Sequence, residues 1–286
     1  MNTSWLNTKE YPFAHNYLTV VGGQLHYIDE GQGEVLLFVH GTPSWSFEFR
    51  NVIKHLSKNY RCIALDHIGF GLSDKPAGYD YSIQNHTATL LKLINHLQLN
   101  QFSMLVHDFG GIIGLAAAEQ IPDKISKIII LNTWCRSIQD EPEYKKMKGI
   151  LGSPLMPFLY RYFNFSAKYI LPAAFGERSR LTPEVHQQYL KPFGNASERN
   201  GTVAFAKSLL RDQQYYESIG KMLSVLKNKP VLIIWGMKDA FITEKHLLWM
   251  QEQFPAAEVV KYEDAGHFVL EEKSVVAGPV IEAFLG

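Results

Sequence analysis

Val106-His107-Asp108-Phe109-Gly110-Gly111 is the stretch whose reading decides the fold. It closes a strand-like run, Gln101 to Val106, and opens a helix-like one, Ile112 to Gln120. A reactive side chain on a sharp strand-to-helix turn, followed by a small residue that lets the turn close, has the form of a nucleophile elbow. The familiar central residue is Ser; here it is Asp108. That exchange moves the expected chemistry from acyl transfer through a serine ester towards displacement at a saturated carbon by a carboxylate.

Outward from the elbow, apolar strand-like runs recur at Tyr17–Val21, Leu25–Asp29, Val35–His40, Arg61–Asp66, Phe102–His107, Ile128–Asn132, Val231–Gly236 and Glu258–Tyr262. Segments with helical spacing lie between several of them, among them Phe47–Ser57, Ile83–Leu97, Gly111–Gln120 and Glu244–Gln253. The first two runs alternate and hinge at Gly22-Gly23, which reads as a hairpin. The later ones are near-continuous in Val, Ile and Leu, as parallel strands covered on both faces are. The pattern predicts an α/β fold: a mostly parallel eight-stranded sheet with helices on both faces. The rhythm breaks from about Cys135 to Lys227, where no buried strand is legible and helix-like stretches appear at Pro142–Gly149, Pro183–Leu190 and Gly201–Asp212. An insert of that length is too long for a loop. It reads as a helical cap, residues 135–227, set into a core made of 1–134 and 228–286.

Bulk composition excludes several classes of function. Apolar residues are 46% and charged residues 20% of the chain, which argues against disorder. Lys+Arg and Asp+Glu both total 28, and no basic run favours nucleic acid. Cys62 and Cys135 are too few for a disulfide framework and read as free thiols in a reducing, cytoplasmic setting. Met1 to His15 lacks the basic and apolar regions of a secretory signal. No window approaches a membrane span, so no membrane partner is expected.

The residues with chemistry fall at strand ends, where ligands bind in open α/β sheets. Asp108 closes the fifth strand run, Asp239 follows the Val231–Gly236 run, and His267 follows the last one. Nucleophile, acid, histidine is the chain order of α/β-hydrolase triads. In Val39-His40-Gly41-Thr42-Pro43 a tight turn after a strand exposes the Thr42 N–H, and the elbow aims the Phe109 N–H at the same space, giving a two-donor oxyanion hole. Asp66-His67-Ile68-Gly69-Phe70-Gly71-Leu72-Ser73-Asp74 lacks the ending and spacing of a nucleotide loop and reads as structural.

These residues resemble the α/β-hydrolase superfamily, and more closely its haloalkane dehalogenase and epoxide hydrolase branch, from about Tyr11 to Leu285. The resemblance rests on His-Gly-x-Pro at 40–43, Asp-x-x-Gly-x-Gly-x-Ser at 66–73, His-Asp-x-Gly-Gly at 107–111, Gly-x-x-Asp at 236–239 and Gly-His-Phe at 266–268. The runs Ser-Trp-Ser-Phe-Glu-Phe-Arg after Pro43 and Gly-Met-Lys-Asp ending at Asp239 are similar to haloalkane dehalogenases in particular. Part of that family carries its acid as a Glu after the preceding core strand; Asn132 stands there, which leaves the role to Asp239.

The expected mechanism needs no metal and no organic cofactor, only a small apolar substrate and water. The Asp108 carboxylate, ionised at neutral pH, attacks carbon and forms an ester. His267 then activates water, with Asp239 holding the imidazole. The resemblance implies an indole donor for the departing halide directly after the nucleophile, but Phe109 stands there, and Thr42 replaces the Asn of some subgroups. The pocket contacts left to consider are Thr42, Trp45, Phe109 and Trp134. Three alternatives stay open. Epoxide opening would draw its proton from cap tyrosines, here Tyr144, Tyr160, Tyr162, Tyr169, Tyr189, Tyr215 and Tyr216. β-Lactone decarboxylation is carried out by relatives that keep Asn where Thr42 stands. A non-catalytic ligand-binding protein of the same fold is the third.

Overall fold

The computed structural model describes residues 3–286. Met1 and Asn2, the first residues of the N-terminal stretch read above, lie outside the described residues. The elements follow in chain order as β1 (Asn16–Val20), β2 (Gly23–Glu30), β3 (Val35–Val39), α1 (Arg50–Leu56), β4 (Arg61–Leu65), α2 (Ile83–His96), β5 (Phe102–His107), α3 (Phe109–Ala118) and β6 (Ile125–Leu131). Then come α4 (Pro142–Leu151), α5 (Leu155–Phe163), α6 (Leu171–Ala173), α7 (Pro183–Leu190), α8 (Asn200–Arg211) and α9 (Gln213–Met222). The sheet resumes with β7 (Val231–Gly236), α10 (Glu244–Gln253), β8 (Glu258–Tyr262) and α11 (Val269–Leu285).

The strands form one eight-stranded sheet in the order β1-β2-β4-β3-β5-β6-β7-β8. β1 and β2 make the expected hairpin, with Asn16 opposite Tyr27 and Val20 opposite Gly23. β2 also pairs antiparallel with β4, and every later pair is parallel. The pleat sends successive side chains to opposite faces, and each face has its own core. Leu37, Val39, Met104, Val106, Ile128 and Ile130 pack with Ile94 of α2, Ile112 of α3 and Met250 of α10. Leu36, Phe38, Leu105, Ile129 and Leu131 pack with Ile53 of α1 and Ile281 of α11. The unbroken apolar runs of the sequence are therefore strands buried from both sides.

Two elements differ from the sequence reading. β6 begins at Ile125 rather than Ile128, because the polar interruption at Lys127 is satisfied where it stands: its ammonium donates to the Phe284 carbonyl near the end of α11 (3.0 Å). α11 is a helix that the sequence reading did not name, and it carries Gly278-Pro279, although proline disfavours a helix interior. Pro279 nonetheless lies inside the helix, and the departure from helical dihedrals falls earlier, at Lys273 (φ −129°, ψ 19°). Between β6 and β7 the described residues form helices and turns and no strand.

Candidate active site

β5 lies in the middle of the sheet between β3 and β6, and Asp108 follows its last residue. The Asp108 backbone sits at φ 54°, ψ −129°, a region a non-glycine residue occupies only when its surroundings hold it. They do so from three directions. Asp108 N–H donates to the Asn132 carbonyl (3.1 Å), and the Asp108 carbonyl accepts from the Thr133 hydroxyl (2.6 Å) and the Gly111 N–H (2.9 Å). A Cβ at Gly110 would stand 2.1 Å from the Val39 carbonyl oxygen, so only glycine lets α3 start this close to β3. On the facing loop a Cβ at Gly41 would stand 2.1 Å from Asp108 Oδ1. Glycine there clears the space the carboxylate occupies.

Thr42 N–H donates to Asp108 Oδ1 (2.8 Å). Phe109 is the first residue of α3, so its N–H is among those with no acceptor inside the helix. The loop after β8 brings in His267. Its backbone N–H donates to the Ala174 carbonyl (2.8 Å), just past α6, which pins the loop to the helices above the sheet. His267 Nδ1 donates to Asp239 Oδ2 (2.7 Å), and Nε2 lies 3.4 Å from Asp108 Oδ2. Asp239 Oδ1 accepts the N–H groups of Phe241 (2.8 Å) and Ile242 (3.0 Å). Asp108, Asp239 and His267 are 7%, 4% and 4% exposed, so their charges interact in a poorly screened setting. The three residues picked from separate strand ends thus meet in one constellation.

The electrostatics follow from that geometry. Burial alone would push the His267 pKa down, but the Asp239 and Asp108 carboxylates outweigh it and raise it well above 6.5. Burial works against the charge of Asp239, yet His267 and the two loop N–H groups hold its pKa below the ordinary value.

Sequence reasoning missed the residues that support this constellation. Asn132 donates from Nδ2 to Asp239 Oδ2 (3.0 Å) and to the Gly236 carbonyl (3.1 Å), and accepts from the Gly236 N–H (2.8 Å). It ties the ends of β6 and β7 together and aims the acid. Glu48 pairs with His107 Nδ1 across a fully buried contact, with the Ser44 hydroxyl donating to its other oxygen (2.5 Å). His107 Nε2 donates to the His267 carbonyl (2.9 Å). The signal for this pair was one acid in the otherwise aromatic run Phe47-Glu48-Phe49. The Asp66 loop is structural, as read. Asp66 accepts from the Ser46 N–H (2.8 Å), the Leu72 N–H (2.7 Å) and His26 (2.8 Å), and although burial opposes its charge, His26 holds its pKa at about 2.

A family model described as the alpha/beta hydrolase fold matches residues 34–274. Over 92% of the chain, the sequence is 36% identical to a cis-3-alkyl-4-alkyloxetan-2-one decarboxylase of Shewanella oneidensis, covering 85% of that protein. It is 31% identical to haloalkane dehalogenase 2 of Mycobacterium bovis, over 96% of each chain. The chain belongs to the α/β-hydrolase fold family, in its haloalkane dehalogenase branch. Its fold superposes on that of the haloalkane dehalogenase DatA from Agrobacterium tumefaciens C58 with a TM-score of 0.84 at 21% identity, over 100% of this chain and 99% of that one. It is a hydrolase of the haloalkane dehalogenase kind.

The remaining candidates lie around Phe109. Its ring packs edge-on against Trp134 (centroids 4.9 Å apart) and, at a tilt, against Phe205 of α8 (4.6 Å). The Trp134 indole N–H and the Thr42 hydroxyl are both buried without a hydrogen-bond partner among the described residues. Trp45 departs from the sequence expectation. Its indole N–H donates to the Gln188 carbonyl (3.0 Å) and its ring is fully buried among aromatic neighbours, so that donor is occupied. The cap tyrosines sort by their hydroxyls. Tyr144, Tyr189, Tyr215 and Tyr216 are bonded to Leu210, Glu271, Thr87 and Ser208, and Tyr162 and Tyr169 face solvent. Tyr160 is buried and has its pKa raised by burial and then by the charge of Asp108.

Proposed function

We propose that this hydrolase cleaves carbon–halogen bonds of small apolar substrates through a covalent ester on Asp108. The observation that carries the proposal is the carboxylate on the elbow, 2.8 Å from the Thr42 N–H and 3.4 Å from His267 Nε2. A carboxylate needs no base to attack carbon, and displacement at carbon forms the Asp108 ester as halide leaves. Alkylation also removes the Asp108 charge, one of the two carboxylates that raise the His267 pKa. His267 is then a stronger acid, and once its proton has passed to solvent along with the departing halide it is the base that takes one from water. Asp239 holds the ring and balances its charge. Water adds to the ester carbonyl, the Thr42 and Phe109 N–H groups stabilise the oxyanion, and collapse of the adduct breaks the bond from the carbonyl carbon to the alkoxy oxygen, releasing the alcohol and restoring the Asp108 carboxylate beside protonated His267.

For the departing halide we assign the Thr42 hydroxyl and the Trp134 N–H. A buried donor without a partner costs stability, and an anion leaving into an apolar site needs donors. Residues 135–227 serve as the cap over a core of 1–134 and 228–286. Phe205 against Phe109 and the Ala174 carbonyl on the His267 N–H support that division. The two cysteines are buried free thiols, which supports a cytoplasmic setting.

The decarboxylase relative favours one second reading. Attack of Asp108 on the ring carbon that bears the ring oxygen of an oxetan-2-one would open the ring to the same alkyl ester, with a carboxylate as leaving group. Loss of carbon dioxide from that carboxylate would expel Asp108 and leave an alkene, with no water consumed.

The test is product analysis with a bromoalkane and a 3,4-dialkyl-oxetan-2-one side by side. Halide plus alcohol supports the first reading; alkene plus carbon dioxide from the lactone alone supports the second. Asp108→Ala should abolish turnover, and His267→Phe should let the ester accumulate as an alkyl adduct on the Asp108 peptide. Near-parental turnover of the Asp108 variant would refute both readings.

A further inference from the structure

α4, α5 and the segment that follows carry an excess of bases. From Tyr144 to Gly176 there are five bases, Lys145, Lys146, Lys148, Arg161 and Lys168, and no acid, in a protein whose formal net charge is +0. All five bases are exposed. The acids that bound this stretch in the chain are Glu143, near the start of α4, and Glu177; Glu177 is engaged by Arg180, and Glu141 before them by Arg136 and Lys245.

The same segment exposes large apolar side chains. Ile150, Leu155, Phe158, Tyr162 and Phe163 are 48–58% exposed. Leu155, Phe158 and Tyr162 recur at helical spacing on one side of α5, and the rings of Tyr162 and Phe163 lie 5.0 and 5.7 Å from that of Phe158. The other side of α5 buries Met156 and Tyr160 against Val203 of α8. A helix apolar on both sides belongs between two apolar partners; here one side faces outward. Leu151, Met156, Tyr160 and Val203 also line a small cleft that opens between α4, α5 and α8.

Exposed aromatic and aliphatic residues together with exposed Lys and Arg form the composition that seats a helix in the headgroup region of an anionic bilayer. A second copy of this chain fits less well. A two-fold contact places the same patch on both subunits, and five bases would then meet five bases. We infer that the α4–α5 face of the cap docks on an anionic lipid surface, with the cleft beside Tyr160 opening next to the bilayer. No helix among the described residues is long and apolar enough to cross a membrane, so the contact is peripheral. It amends the expectation of no membrane partner, which rested on the lack of a span.

The experiment is flotation of the full chain with vesicles of phosphatidylcholine alone or of phosphatidylcholine mixed with phosphatidylglycerol, at low and raised salt. The protein should float with the mixed vesicles only, and less so as salt screens the contact. Lys145→Glu/Lys146→Glu/Lys148→Glu should lower the partition coefficient by roughly a hundredfold or more, at about a kilocalorie per charge near the surface. Phe158→Ser/Phe163→Ser should weaken binding at unchanged charge. Far-UV circular dichroism and thermal melting of each variant establish that it is folded. Three outcomes overturn the inference: no flotation of the parent with anionic vesicles, equal flotation with both vesicle types, or a dimer in solution that the Phe variants dissociate.

Discussion

Thr42→Val separates the two things Thr42 offers the site. The backbone N–H that donates to Asp108 Oδ1 at 2.8 Å stays, and only the hydroxyl, buried without a partner, is exchanged for a methyl of nearly the same shape. Leaving a buried polar group unsatisfied costs about 1–3 kcal/mol, so the variant should be more stable than the parent by about 1 kcal/mol. In a chain of this size that is a rise of a few degrees in melting temperature. If the hydroxyl donates to the departing halide, its loss removes a hydrogen bond to a charged group, worth about 1.5–3 kcal/mol. That converts to a drop of roughly 10- to 150-fold in kcat/KM. The drop should be largest for chloroalkanes, whose small, strongly hydrated anion needs donors most. Differential scanning fluorimetry measures the first effect, and single-turnover halide release across chloro-, bromo- and iodoalkanes measures the second. A variant that is less stable and releases halide at the parental rate would refute the reasoning, because it would make the hydroxyl a structural group.

Asp239→Asn should slow ester hydrolysis by a thousandfold or more, by analogy with triad acids, while leaving the halide burst intact; a lost burst in rapid-quench experiments would remove Asp239 from its assigned step. Glu48→Gln removes the carboxylate that faces buried His107 Nδ1, and losing a hydrogen bond to a charged group costs about 1.5–3 kcal/mol. Chemical denaturation should show that loss, and His107→Gln added to it should cost far less than the sum of the two single changes. Burial lifts the Glu119 pKa to about 8, so the folded state holds a proton the unfolded chain releases near the ordinary value of 4.5. Stability should therefore fall as pH rises between about 4.5 and 8. Glu119→Gln should flatten that part of the profile; an unchanged slope would show that the carboxyl finds solvent or a partner.

What was legible in the sequence divides along physical lines. The inner strands announce themselves because both faces of the sheet are covered there, so each must be apolar nearly throughout, while β1 at one edge is legible from alternation; neither pattern needs tertiary information. The elbow, the acid and the histidine are legible because loops at the strand ends are where the fold places its ligands. Asn132 is read only as the residue standing where some relatives carry Glu; its hydrogen bonds to Asp239 and Gly236 come from a crossing of two strand ends about a hundred residues apart. Glu48 and His107 likewise join residues far apart in the chain. Trp45 looked available because indole spacing carries no information on where the N–H points, and Gln188 of α7 takes it. α11 is absent from the segments read as helical; its buried side packs with α1 and the sheet.

The resting site holds two buried carboxylates around one imidazole, and that count explains why a carboxylate nucleophile suits this elbow. With Asp108 ionised, the raised pKa of His267 keeps the ring protonated, so the constellation carries one net negative charge rather than two. A protonated His267 is no base, but the first proposed step needs none. Forming the ester neutralises Asp108 and takes away part of what held the proton on His267, so the base appears when water has to be activated. A serine at position 108 would reverse the requirement. It would bring no charge to raise the histidine's pKa, and it would need a neutral imidazole from the outset to become nucleophilic. The identity of residue 108 thus adds to the pull of Asp239 on the proton of a residue more than 150 positions away, and so bears on the order in which attack and proton transfer occur.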